Sequence, residues 1–135
     1  MLKIEHIGIA VRNISESVKL FESLLDAKCY KTEKVESEKV ETAFFKMGES
    51  KVELLQAFSE ESAISRFINA RGEGLHHVAF EVEDIREEMK RLKSQGFQLL
   101  RDEPFNGADN KLVCFIHPKS CNGVLVELCE ERKDV

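Results

Sequence analysis

The chain has 135 residues, 42% of them hydrophobic and 33% charged, with a formal net charge of −5. That length suits one compact domain with a sizeable core, and the balance is that of a globular protein rather than a disordered or fibrous one. The negative charge argues against a phosphate-neutralising nucleic-acid surface, and no apolar stretch approaches the roughly 20 residues of a membrane helix.

Met1–Glu5 carries neither a signal-peptide nor a lipidation pattern, so a cytoplasmic location is expected. Cys29, Cys114, Cys121 and Cys129 form no C-x-x-C pair and are too sparse for a disulfide scaffold. They are expected to be reduced, with Cys114 and Cys129 acting as small hydrophobes inside apolar runs.

In chain order, Leu2–Val11 is β-branched and alternating, which predicts a strand. Asn13-Ile14-Ser15-Glu16 has the form of a capping box, and Val18, Phe21, Leu24 and Leu25 follow at helical spacing, so a helix is expected to about Ala27. Cys29–Lys34 is expected as a short strand and Val35–Lys39 as a loop. Val40–Met47 and Lys51–Ala57 then form a hairpin across Gly48-Glu49-Ser50. A connecting helix lies within 58–75, with Ser59 as N-cap, Ala63, Ile64, Phe67 and Ile68 as its apolar stripe, and Gly72 and Gly74 as its end.

The second half repeats the first. His77–Val82 is a strand, Asp84-Ile85-Arg86-Glu87 a second capping box, and Ile85, Met89 and Leu92 carry a helix stopped by Gly96. Phe97–Arg101 is expected as a strand and 104–110 as a loop. Lys111–His117 and Gly123–Glu130 form the closing hairpin, and Glu131–Val135 a charged, fraying tail. The fold expected is α+β: a single domain of two tandem βαβββ units, 2–57 and 76–130, forming a concave mixed sheet around a metal site.

The chemistry sits in the repeat itself. His6-Ile7-Gly8-Ile9-Ala10-Val11 matches His77-Val78-Ala79-Phe80-Glu81-Val82 at an offset of 71, and Val52-Glu53-Leu54 matches Val126-Glu127-Leu128 at an offset of 74. A carboxylate or imidazole inside an apolar strand is costly unless paired. A divalent cation would satisfy His6, Glu53, His77 and Glu127 together, since neutral imidazole and carboxylate are standard ligands for such ions. Nitrogen and oxygen ligands do not choose between cobalt, nickel, zinc and manganese. His76 alternates to the opposite face from His77, and His117, ahead of Pro118, suits a turn or a substrate contact.

The chain resembles the vicinal oxygen chelate superfamily over about residues 3–130. The nearest likeness is to methylmalonyl-CoA epimerases, with glyoxalase I (lactoylglutathione lyase) next. The likeness is carried by Gly74-Leu75-His76-His77-Val78-Ala79, Asp102-Glu103-Pro104, His117-Pro118-Lys119-Ser120 and Gly123-Val124-Leu125-Val126-Glu127-Leu128. Glu38-Lys39-Val40 and Gly107-Ala108-Asp109-Asn110 depart from the epimerase pattern, as does Thr42, where some epimerases carry a second acid/base carboxylate. The adjacent Glu41 alternates to the other face. The resemblance implies one divalent metal on His6, Glu53, His77 and Glu127, and removal of a proton α to a carbonyl through a metal-stabilised enediolate.

Glu127 and Glu53 are then the candidate acid/base groups, one on each face of the substrate. The substrate implied is an acyl-CoA or, in the glyoxalase alternative, a glutathione hemithioacetal. Lys111, Lys119 and Arg71 are scattered candidates for a CoA tail. A homodimer is expected on the same ground. From another class, the superfamily also contains metal-free binding proteins of the resistance type, against which retention of all four ligand-type residues argues.

Overall fold

The structure is a computed structural model and describes residues 1–132. Each half has the order expected from the repeat. In the first, β1 (Lys3–Ala10) leads to α1 (Ile14–Leu25), then β2 (Lys31–Val35), β3 (Val40–Met47) and β4 (Ser50–Ala57). After α2 (Ala63–Arg71) come β5 (Gly74–Glu81), α3 (Ile85–Ser94), β6 (Phe105–Asn106), β7 (Lys111–Ile116) and β8 (Val126–Glu131). By contacts the chain divides into two compact units, His6–His76 and Met1–Glu5 with His77 onward. Within the latter, the Leu2 amide donates to the Glu81 carbonyl at 2.8 Å.

In the unit His6–His76, β2 and β3 pair antiparallel, as do β3 and β4, while β4 pairs parallel with β1. Alternation sorts the side chains. Ala43, Phe45 and Leu54 form a buried cluster with Val11 and Ile14, onto which α1 lays Val18, Phe21 and Leu25. Phe45 and Leu54 are fully buried, and side chains of this size contribute about 1.5–3 kcal/mol each when taken from water. The residues between them in sequence, Thr42, Phe44, Glu53 and Leu55, occupy the face away from α1, and the register sets Phe44 and Gly8 on either side of Glu53.

The other unit repeats this with β6–β7 and β7–β8 antiparallel and β8–β5 parallel. Val82, Ile85, Met89, Leu92, Cys114, Ile116 and Leu128 form the cluster on the α3 side. Ala79, Val113 and Cys129, with Phe105 packed on them, line the opposite face.

Both expected caps are present: the Asn13 side chain accepts from the Glu16 amide at 3.1 Å, and that of Asp84 from the Glu87 amide at 3.2 Å. Gly96, with φ +93°, follows the Gln95 C-cap, a backbone angle that an L side chain would strain.

The structure also corrects the expected elements. The cap of α2 is Ser62, whose hydroxyl accepts from the Ile64 amide, while Ser59 caps only the turn before it through the Glu61 amide. Ser62 is the residue directly before Ala63, the first of the helix, and from there its hydroxyl reaches the second helical amide, that of Ile64. The expected strand Phe97–Arg101 reduces to one bridge, Leu99 to Ile116. The edge strand forms instead at Phe105–Asn106, inside the expected loop and just past Pro104, which has no amide to donate to a ladder. Val35, expected in a loop, closes β2 by pairing with Val40, and Ser50, expected in the turn, opens β4 opposite Met47. Of the expected tail, Glu131 ends β8, and residues 133–135 lie outside the described residues.

Candidate functional site

The two intruding polar pairs fold into like arrangements, one in each unit. β1 and β4 run parallel with Gly8 opposite Glu53, which puts His6 and Glu53 on one face, two residues apart along the strands. The His6 Nδ1 lies 3.2 Å from Glu53 Oε2. β5 and β8 repeat the parallel pairing with Ala79 opposite Glu127, and the His77 Nε2 lies 3.3 Å from Glu127 Oε1. All four residues are buried, at 4–8% exposure. The imidazole and carboxylate that the sequence isolated are thus neighbours within each repeat.

Those separations suit ligands of a shared cation. Bonds of about 2.0–2.1 Å put adjacent ligand atoms about 3.0 Å apart at a right angle and about 3.4 Å apart at the tetrahedral angle. The donor set, neutral imidazole nitrogen and carboxylate oxygen, also matches a first-row divalent ion. The residues therefore fit the metal that the sequence implies.

In the second unit aromatic rings border the pair. The edge of His77 meets Phe115, with ring centroids 5.9 Å apart, and Phe115 in turn lies 6.1 Å from Phe105. The rings restrict the imidazole's rotation and border the carboxylate with a surface poor in water. Arg101 stacks over Phe105 at 3.9 Å, closing the outer side of that ring.

The remaining histidines fall outside the pairs. His76 meets Phe67 edge-on at 5.0 Å, and burial, aided by the positive charge of Arg71, lowers its pKa to about 4. It is a packed neutral ring. The His117 Nδ1 accepts from the Lys119 amide at 3.0 Å and caps the 3-10 turn Pro118–Cys121, which makes it a turn residue. All four cysteines are free, Cys114 and Cys129 buried. Of the three candidates for a CoA tail, Lys111 is buried, and Lys119 and Arg71 are exposed.

Two buried polar residues stand outside the four expected ligands. Glu5, 2% exposed, precedes His6 on β1, and Thr42 is fully buried on β3. Glu5 occupies the place of His76 in the repeat, which was the available signal. Thr42 is an ordinary strand residue by type, and its signal lay in the resemblance, which puts an acid/base carboxylate of some epimerases at this position.

Residues 5–115 match the family model described as Glyoxalase/Bleomycin resistance protein/Dioxygenase superfamily. The chain is 40% identical to the uncharacterized protein YqjC of Bacillus subtilis, covering 99% of this chain and 96% of that one. It is 37% identical to the mitochondrial methylmalonyl-CoA epimerase of Dictyostelium discoideum, over 96% of this chain and 78% of that protein. Among solved structures, a Streptomyces coelicolor methylmalonyl-CoA epimerase in complex with 2-nitronate-propionyl-CoA superposes with a TM-score of 0.94 at 32% identity, over 98% of this chain and 99% of the other.

Proposed function

Because the chain belongs to the glyoxalase/bleomycin resistance protein/dioxygenase superfamily, we propose that it is a divalent-metal-dependent methylmalonyl-CoA epimerase. The observation that carries the proposal is the repetition of a buried histidine–carboxylate pair, 3.2 Å apart in one unit and 3.3 Å in the other. Epimerisation needs a proton taken from one face of a carbon and returned on the other, and a duplicated pair offers one carboxylate for each face. The epimerases among the relatives favour the acyl-CoA substrate. A cytoplasmic homodimer belongs to the same proposal, on resemblance alone.

His6, Glu53, His77 and Glu127 would hold the metal. When bound, the cation supplies positive charge opposite the negative charge that grows on the thioester carbonyl oxygen as the α-proton leaves. The rest is done by side chains. Glu127 takes the α-proton: the C–H bond breaks, an O–H bond forms on the carboxylate, and the electron pair moves onto the carbonyl. Glu53, carrying a proton drawn from solvent, delivers it to the opposite face. Its O–H bond breaks, the electron pair returns from the carbonyl oxygen to form the new C–H bond, and Glu127 releases its proton to solvent. Phe115 holds the His77 ring in place and, with Phe105, keeps water from competing for the exchanging proton.

The test is exchange of the α-proton of methylmalonyl-CoA with deuterated water, run beside isomerisation of the glutathione hemithioacetal of methylglyoxal on the same metal-loaded sample. Exchange on the CoA ester with no product from the hemithioacetal is expected. Glu127→Gln, which retains an oxygen ligand but no base, is expected to lower exchange at least a hundredfold. A variant with bound metal and full turnover would remove Glu127 from the mechanism.

A further inference from the structure

Among the described residues, Thr42 Oγ1 is the one buried side-chain nitrogen or oxygen with no hydrogen-bond partner. Thr42 is 0% exposed, so water does not supply the missing bond from bulk. An orphaned buried hydroxyl is destabilising, and valine would fill the same volume without that cost. The position in the sheet indicates what the hydroxyl is for. In the β3–β4 ladder Thr42 stands opposite Leu55 and Phe44 opposite Glu53, so Thr42 and Glu53 are diagonal neighbours on the face away from α1. Diagonal pairs of this kind lie within reach of a long side chain. His6 and Thr42 flank Glu53 from opposite sides, His6 on β1 and Thr42 on β3, and in the structure the carboxylate Oε2 lies 3.2 Å from His6.

We propose that Thr42 is a positioning residue for Glu53: its hydroxyl receives the Glu53 carboxyl group when that group turns from His6 toward the substrate carbon. The inference rests on the proposed role of Glu53 in α-proton transfer. A hydroxyl suits this task because it both donates and accepts. It donates to the ionised carboxylate, and it accepts from the O–H of the same group once Glu53 carries the proton. An apolar residue would leave both forms unmatched. The orphaned oxygen is therefore a bond held open for one step of turnover.

The experiment compares Thr42→Val and Thr42→Ser with the parent protein, in thermal melts without metal and in α-proton exchange on methylmalonyl-CoA with metal. Thr42→Val is expected to melt at the parent's temperature or above it and to lose about tenfold in kcat with KM unchanged. Thr42→Ser, which restores the hydroxyl, is expected to keep kcat within about twofold. Parent-level kcat in Thr42→Val overturns the inference while leaving the epimerase reading in place. A melting temperature several degrees below the parent's also overturns it, since the hydroxyl would then have a structural partner. If the parent itself exchanges no proton, both readings fall together.

Discussion

At the scale of single residues, burial governs the chemistry available to each polar group. The same threonine, histidine or cysteine side chain behaves differently on the two faces of one strand. Cys114 is a case in which the consequence is measurable. It lies on β7 among Val82, Ile85, Leu128 and their neighbours, with no exposed surface. Burial raises its thiol pKa to about 11 from an ordinary 9.0, against a smaller opposing effect of the Arg101 charge. A thiol raised in the folded state favours folding while both states are protonated, below pH 9. As the pH climbs from 9 toward 11 the unfolded chain ionises first, so that stability is lost. Two pKa units correspond to at most about 3 kcal/mol. Urea unfolding at pH 8 and pH 10.5 is therefore expected to show a larger alkaline loss in the parent than in Cys114→Ala, whose own curve lacks this contribution. Equal losses in the two proteins would mean that the thiol titrates as if exposed.

At the scale of elements, the duplication extends further than the four polar residues that expose it. The Ile14 amide, in the first turn of α1, donates to Gln56 Oε1 at 2.7 Å, and the Ile85 amide, in the first turn of α3, donates to Glu130 Oε1 at 2.8 Å. Each helix start is thus satisfied twice, by its own Asn or Asp cap and by a side chain at the end of the last strand of its repeat. Glu130 brings a negative charge to the positive end of α3, whereas Gln56 is neutral, and charge at this position is worth about 0.3–1 kcal/mol. Glu130→Gln is expected to lower the urea unfolding free energy by roughly that amount and Gln56→Glu to raise it. The same sign from both substitutions would show that the strand-end contact does not act through charge.

These caps also explain how much the sequence told in advance. Asn13 and Asp84 were legible because a cap and its amide are three residues apart, a local signal. The Gln56 and Glu130 contacts join residues 42 and 45 positions apart and follow only from the fold. His6, Glu53, His77 and Glu127 stood out because each repeat set a polar group into an apolar strand. Thr42 stood out only as the place of a carboxylate in some epimerases, because nothing about a strand threonine announces that its partner is missing. The edge strands were the least legible: β6 has two residues, and its pairing is chosen by where Pro104 stops the chain rather than by any pattern of its own.

At the scale of the whole molecule, a duplicated pair poses a question of number. Two histidine–carboxylate pairs either share a single metal ion or bind one apiece. The proposed function requires sharing, because two protein ligands alone would leave half or more of a four- to six-coordinate shell to water and hold the ion weakly. Titration of the metal-free protein with zinc or cobalt is expected to saturate at one equivalent per chain. His6→Ala and His77→Ala are each expected to weaken that one site at least a hundredfold, although the two residues belong to different repeats. Since the ion binds only the folded chain, a free concentration a hundredfold above Kd contributes about 2.7 kcal/mol, roughly 10 °C in melting temperature for a chain of this length. A chelator should reverse that shift and abolish α-proton exchange together. Saturation at two equivalents, with each histidine substitution erasing one and sparing the other, would mean two separate sites. A centre built from both repeats would then have to be given up, and with it the pairing of one carboxylate to each face of the substrate.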